Sequence, residues 1–237
     1  MKFIQKGGAP HSYGMWCNKV AGTAKADYQE LPKHEKAELL LSLLVEQGWI
    51  CAYTMKRIDE ATSHVEHIKP ESLCREDGPG SDLDYGNMVA GFPRDGMKSN
   101  YRYGAQAKAD WWKNGGQDFI SPLHPNCEKR FQFDLAGNIK AVNNNAAAAN
   151  TISVLGLKHD TLVEDRRRVI EEFIYGATGE EPLSPAQAVR TFKSICGRNG
   201  DDRFYEFCVA IRDALGQHLS NLKRLANRRK HARKKKT

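Results

Sequence analysis

Ser63-His64-Val65-Glu66-His67-Ile68-Lys69-Pro70 is the run around which this 237-residue chain is organised. Asp84-Tyr85-Gly86-Asn87 follows it after a Gly/Pro/Asp-rich loop, Asp77-Gly78-Pro79-Gly80-Ser81-Asp82. The run reads as a strand, on which successive side chains alternate faces, so His64 and Glu66 share one face and Val65 and His67 the other. Pro70 has no amide hydrogen and stops the ladder. A carboxylate beside an imidazole, with an Asn returning after a loop, suits metal-assisted hydrolysis of a phosphodiester. Hard oxygen ligands from Glu66 and Asn87 hold a divalent ion. A neutral imidazole takes a proton from a water beside it.

Upstream of this run, residues 33–48 read as a helix. Leu39, Leu40, Leu43 and Leu44 recur at helical spacing, Leu41 and Val45 widen the stripe towards a largely buried helix, and Gly48 is a natural stop. Trp49-Ile50-Cys51-Ala52-Tyr53 reads as a strand that leads through Arg57-Ile58 to the His-Glu-His run. Residues 1–33 show little periodicity, and Gly7-Gly8-Ala9-Pro10 and Gly14 interrupt helical patterns. Their isolated aromatics, Phe3, Tyr13 and Trp16, suit an arm that wraps the domain or docks on a partner.

Downstream, Ala105–Trp112 has helix-forming composition. Phe131-Gln132-Phe133 and Ile139-Lys140-Ala141 flank a turn at Gly137 and read as a hairpin. The Asn/Ala-rich segment 143–150 reads as a connection that becomes helical at Thr151. Thr161-Leu162-Val163-Glu164 has the spacing of a capping box for a helix to about Tyr175. On that helix Arg166-Arg167-Arg168 is either a solvated face or a phosphate contact. After a break over residues 176–182, Ser184-Pro185-Ala186-Gln187 is a second capping box. A last helix is expected from about Asp201, with Phe204, Phe207, Cys208, Ile211, Leu215, Leu219, Leu222 and Leu225 at spacings of three and four.

Charge is distributed unevenly. The whole chain carries +7, but residues 223–237 hold nine Lys/Arg and no acid, which leaves the other residues at −2. The basic character is therefore terminal and points to a polyanionic partner there, with Lys223, Arg224, Arg228, Arg229, Lys230, Arg233 and Lys234 as candidate nucleic-acid contacts. The six cysteines are scattered with no C-x-x-C pair, and the N-terminus is too short and polar for a signal peptide. No run of about 18 apolar residues suggests a membrane span. A soluble protein of the reducing cytoplasm, with no disulfide framework, is expected. Cys51 has Thr54 and not a second thiol three residues on, and four N/S ligands cannot be assembled, so no structural zinc is expected. Packing by Tyr53, Phe92, Tyr101 and Tyr103 is expected in its place.

His64-Val65-Glu66-His67-Ile68-Lys69-Pro70 with Asp84-Tyr85-Gly86-Asn87 resembles the core of the HNH (His-Me finger, ββα-metal) endonucleases. With Glu46–Tyr53 upstream and with Ile120–Phe131, Thr151–Leu157 and Arg166–Arg168 downstream, the chain more narrowly resembles the PtuB-like, retron-associated HNH family of the Septu antiphage system. The resemblance covers roughly residues 1–175. It implies an α+β, mainly helical fold with a small ββα-metal core, flanking helices and a C-terminal helical appendix. The corresponding divisions are a partner-docking arm at 1–33, a nuclease core at 34–115, a hairpin and helix at 116–179, a helical region at 180–222 and a basic tail at 223–237.

The resemblance also implies roles. His67 would be the general base and Glu66 a ligand to Mg²⁺ or Mn²⁺. Asn87 would orient the histidine or complete the metal shell. His64 would be a further catalytic residue or ligand, and Lys108 a phosphate contact. A third ligand expected near the start of the 105–112 helix is absent, where Ala105 stands. Implied partners are a PtuA-like ATPase subunit and, in retron versions, a reverse transcriptase with its branched DNA–RNA. Two readings stay open: a metal-dependent nuclease of antiphage defence acting on DNA or RNA, and a degenerate HNH fold kept as a nucleic-acid-binding or assembly subunit.

Overall fold

The order of elements is set by how the chain builds a platform under the His-Glu-His strand. In the computed structural model, residues 1–94, 96–97, 101–176 and 182–234 are described, with the backbone alone at 229–230 and 232–234. The fold is α+β and mainly helical. Helix α1 (His11–Val20) packs on α2 (Lys33–Glu46), and α2 runs against the hairpin of β1 (His64–His67) and β2 (Met88–Gly91). Leu39, Leu43 and Leu44 carry the buried face of α2. Leu41 and Val45 do not widen that face: they are 40% and 46% exposed. At 100° per residue both fall on the side opposite Leu39 and Leu43.

Two expectations for the first 33 residues are corrected. Gly14 sits inside α1 instead of breaking it. Tyr13 is a core residue, with its hydroxyl donating to the Leu83 carbonyl at 2.7 Å. Met1 and Ile4 are buried as well, and Ile4 N–H donates to Pro122 O at 3.0 Å. This segment is part of the body, held by side chains too scattered to show a period.

After α2 the chain does not run on as a strand. Cys51 N–H donates to Lys56 O (2.8 Å) and Met55 N–H to Cys51 O (2.9 Å), while Ile50 bridges Arg57. Trp49 and Met55 take left-handed backbone angles, φ 62° and 64°, so the segment folds back as a tight knuckle. Gln47, at the end of α2, is buried and brackets Ala90 of β2. Its Oε1 accepts from Ala90 N–H at 2.6 Å, and its Nε2 donates to Ala90 O at 3.0 Å. A side-chain amide thus substitutes for a neighbouring strand on that edge of the hairpin.

β1 and β2 pair antiparallel, His64 with Gly91 and His67 with Met88. Short α3 (Glu71–Glu76) follows Pro70, and α4 (Ala105–Lys108) follows β2. The helix expected over 105–112 stops after one turn because Ala109 takes φ 45°. Gly104 has to be glycine: its φ is 74°, and a Cβ there would lie 2.3 Å from the Phe92 carbonyl oxygen. Phe92, Tyr101 and Tyr103 form one aromatic cluster with ring centres 4.8–6.1 Å apart. Tyr53 packs separately, edge-on to Phe119.

The second half wraps this platform. β3 (Phe131–Phe133) and β4 (Ile139–Ala141) form the expected hairpin. Helix α5 (Ala146–Val154) starts ahead of Thr151, because the Asn145 side chain caps it by accepting from Ala148 N–H at 2.8 Å. Helix α6 (Asp160–Tyr175) begins after His159, so Thr161 lies within its first turn and does not serve as the cap. Arg166 is buried in the core; Arg167 pairs on the surface with Glu164 and Glu171. Helix α7 (Pro185–Ser194) carries the expected capping box at Ser184 and Gln187. The expected break over 176–182 falls mostly on residues outside the described set.

Helix α8 (Cys208–Lys234) begins later than Asp201. Residues 201–207 instead dock on the knuckle: Phe204 N–H donates to Gly48 O at 3.0 Å and the Arg57 guanidinium reaches Phe204 O. The helix continues to Lys234, into the segment expected to be a tail, in keeping with the strong helix preference of Lys, Arg and Ala. One connected core runs from Met1 to Leu215. All six cysteines are free thiols, and among the described residues no helix is long and apolar enough to cross a membrane.

Candidate active site

His64, Glu66, His67 and Lys108 line one cavity of about 530 Å³, together with Pro70, Glu71, Arg75, Gln106 and Asp110. The hairpin makes this possible. Glu66 and His64 share a strand face and meet, His64 Nε2 lying 3.4 Å from Glu66 Oε2. Gly91 opposite them leaves the space, since a Cβ there would come within 2.9 Å of Glu66 Cβ and 3.1 Å of Ala105 Cβ.

Glu66 is the electrostatic centre. Its Oε1 accepts from Tyr53 OH at 3.0 Å and from Lys108 Nζ at 2.9 Å. Burial pushes the Glu66 carboxyl up, but the hydrogen bond from His64 and the charge and hydrogen bond of Lys108 outweigh it and hold it below its ordinary value of 4.5. Burial, and then the Glu66 carboxylate, push the Tyr53 phenol well up, so it stays a donor. Unfolding frees Glu66 from these partners, so the unfolded chain takes up its proton more readily. The stability this gives is present above the ordinary glutamate value and is lost as pH falls through the lower folded value. Glu66→Gln is therefore expected to flatten the acid limb of a melting-temperature profile. An unchanged acid limb would show that the ion pair contributes no linkage.

His67 faces the other way and is nearly fully buried, with Tyr28 edge-on at 4.8 Å. Its Nε2 lies 2.8 Å from the Asp82 backbone carbonyl. A carbonyl can only accept, so Nε2 carries a hydrogen, and in the neutral ring the lone pair is on Nδ1. Nδ1 is turned to Glu71, whose Oε1 is 3.6 Å away. The Asp82 side chain is fixed in turn by Tyr28 N–H (2.9 Å) and Arg75 Nε (3.3 Å), and Arg75 also binds Glu71 at 2.8 Å.

No family model matches the chain, and no curated protein matches it. The functional reading therefore stands on this geometry and on the motif.

Asn87 is not part of the cavity lining. Its Oδ1 accepts from Lys69 N–H and its Nδ2 donates to Lys69 O, both at 2.8 Å. The amide thus clamps Lys69, two residues past the end of β1 and His67. Lys108 lies against the site, 2% exposed, with Nζ donating to Glu66 Oε1, to His67 O at 3.0 Å and to Ala109 O at 3.4 Å. Three donors on three internal acceptors leave none for a phosphate, so Lys108 as it stands here is an ion-pair partner of Glu66. Lys223, Arg224 and Arg228 are exposed on α8 and do not line the cavity. The side chains of Arg229, Lys230, Arg233 and Lys234 lie outside the described residues.

Among the described residues no three His, Cys, Asp or Glu side chains gather closely enough to hold a metal ion by themselves. The Glu66 carboxylate and the His64 imidazole meet at the wall of a roomy cavity, and His64 Nε2 would join Glu66 as an O/N ligand pair only by giving up its hydrogen bond to that carboxylate. That pair fits a divalent ion that keeps most of its water shell. Tyr53, Glu71, Arg75 and Asp82 were not legible as site residues. The only signal for Glu71 is its position four residues after His67, just past Pro70.

Proposed function

We propose that this chain is a metal-dependent endonuclease subunit whose HNH (ββα-metal) core is β1, β2 and α4, and that it hydrolyses phosphodiester bonds of DNA or RNA. The observation that carries the reading is the state of His67. With its Nε2–H given to the Asp82 carbonyl, the Nδ1 of the neutral ring is the nitrogen left to act as a base, and His67 lines the same cavity as Glu66. Glu66 and His64 would hold Mg²⁺ or Mn²⁺, and such an ion neutralises phosphate charge and acidifies water. His67 Nδ1 takes the proton of the water whose oxygen attacks phosphorus. The bond from phosphorus to the leaving oxygen breaks, and that oxygen takes up a proton.

The resemblance supplies the setting. The chain would work in the bacterial cytoplasm as part of a Septu- or retron-type antiphage complex, silent until triggered. A PtuA-like ATPase would be its partner, joined in retron versions by a reverse transcriptase and its branched DNA–RNA. Incubating the activated complex with total cellular nucleic acid and sequencing the new ends tests this. New ends should appear with Mg²⁺ or Mn²⁺ and vanish with chelator. Ends that persist in chelator would overturn the metal-dependent reading.

A second reading, a degenerate HNH fold that binds nucleic acid or assembles without cutting, is favoured by one observation: Lys108 already neutralises Glu66. An activated complex that binds nucleic acid with metal present and produces no new ends would establish it.

The basic end of α8 is the expected nucleic-acid contact in either case. Each phosphate it neutralises adds roughly 0.7–0.9 to the magnitude of the slope of log affinity against log salt. Deleting residues 223–237 is expected to lower that slope by several such increments. Equal slopes for the full and shortened chains would remove the segment from the interface.

A further inference from the structure

The cavity holds a cation of its own. Lys108 is 2% exposed, and its ammonium sits 2.9 Å from Glu66 Oε1, the carboxylate assigned above to the metal. It also takes the backbone carbonyl of His67, the residue assigned as base. The turn that carries it is one helical turn long, bounded by Gly104 at φ 74° and Ala109 at φ 45°. Its inner end is tied by Ala105 N–H to Phe92 O at 2.9 Å. The exposed residues Gln106, Ala109 and Asp110 also line the cavity.

We propose that Lys108 is a built-in cation that competes with a divalent ion for Glu66, so that the seated α4 turn keeps the site latent and metal binding requires Lys108 to leave. The inference rests on reading Glu66 as a metal ligand. The physical ground is charge. A single carboxylate on a half-buried wall is neutralised by one ammonium, and a dication added beside that ammonium meets like-charge repulsion at short range. Withdrawal of Lys108 uncovers Glu66 Oε1 and presents a freed ammonium to the cavity, where a substrate phosphate would sit. The latent and active states would thus differ by the position of one short turn, a change small enough for a partner or a bound nucleic acid to bias.

The test is Mn²⁺ binding to the full chain, read by calorimetry and by the paramagnetic resonance signal of free Mn²⁺, for wild type, Lys108→Met and Lys108→Gln. Removing one competing charge is expected to tighten Mn²⁺ binding by about tenfold or more in both variants, with Glu66→Gln abolishing it. Both variants leave the Glu66 charge without its partner and could fold poorly, so the wild-type chain supplies a second readout. Acetylation of Lys108 by an N-hydroxysuccinimide ester, followed by peptide mass spectrometry, should be weak in metal-free protein and should rise severalfold at saturating Mn²⁺. Equal Mn²⁺ affinity in wild type and both variants, or Lys108 labelling that ignores saturating metal, overturns the competition alone. No Mn²⁺ binding in any of the three overturns both the competition and the assignment of Glu66 as ligand.

Discussion

His67→Ala is expected to lower the cleavage rate of the activated complex by about 10²–10⁴, the usual contribution of a positioned general base. At about 1.4 kcal/mol per tenfold, this is about 3–5 kcal/mol of transition-state stabilisation. The expectation follows from the ring's surroundings. Asp82 O fixes the proton on Nε2, Tyr28 packs against the ring edge, and the Nδ1 side is the one open to Glu71 and the cavity. Partner binding should survive, because no surface residue changes. Thermal melting must be checked beside activity, since a nearly buried ring is lost. His67→Gln separates the two effects: it keeps most of the volume and an N–H donor towards Asp82 but has no comparable base. Single-turnover rates for both variants decide the matter. Wild-type rates in either would sink His67 as the base and leave the scaffold reading.

How far the sequence could be read depended on whether a residue's role was local. β1 and the convergence of His64 with Glu66 follow from alternation along one short strand, and the hairpin at 131–141 and the Ser184 cap are equally local. The Lys108–Glu66 pair was not legible because it joins residues about 40 positions apart through a one-turn helix. Composition had suggested a helix of two turns, and it says nothing of which acid the lysine meets. The knuckle after α2 was read as a strand because Trp49-Ile50-Cys51-Ala52-Tyr53 has strand composition. Its left-handed Trp49 and Met55 are imposed by contacts with β2 and with the Phe204 loop. Tyr13 looked like an isolated aromatic because its partner, Leu83 O, lies 70 residues away.

The Arg166-Arg167-Arg168 triplet shows the same limit and yields a stability prediction. One step of about 100° around the helix takes the chain from core to surface, yet adjacent arginines look alike in sequence. Arg166 is 1% exposed; its Nε donates to Gly137 O at 2.8 Å, its Nη2 to Leu157 O at 2.6 Å, and its guanidinium lies over Phe133 at 5.4 Å. Burial brings its pKa down to about 10, which still leaves it charged at neutral pH. It pins the β3–β4 turn and the end of α5 onto α6, so the hairpin depends on it. Arg166→Ala removes the donor that both carbonyls use and opens a cavity, and is expected to cost about 3–5 kcal/mol. Arg166→Met, which refills most of the volume without the donors, should cost less. Arg167→Ala, which breaks only surface pairs with Glu164 and Glu171, should cost no more than about 1 kcal/mol. Urea unfolding of the three variants gives the comparison directly. If Arg166→Ala and Arg167→Ala unfold at the same urea concentration, the buried arginine is not what holds the hairpin to α6.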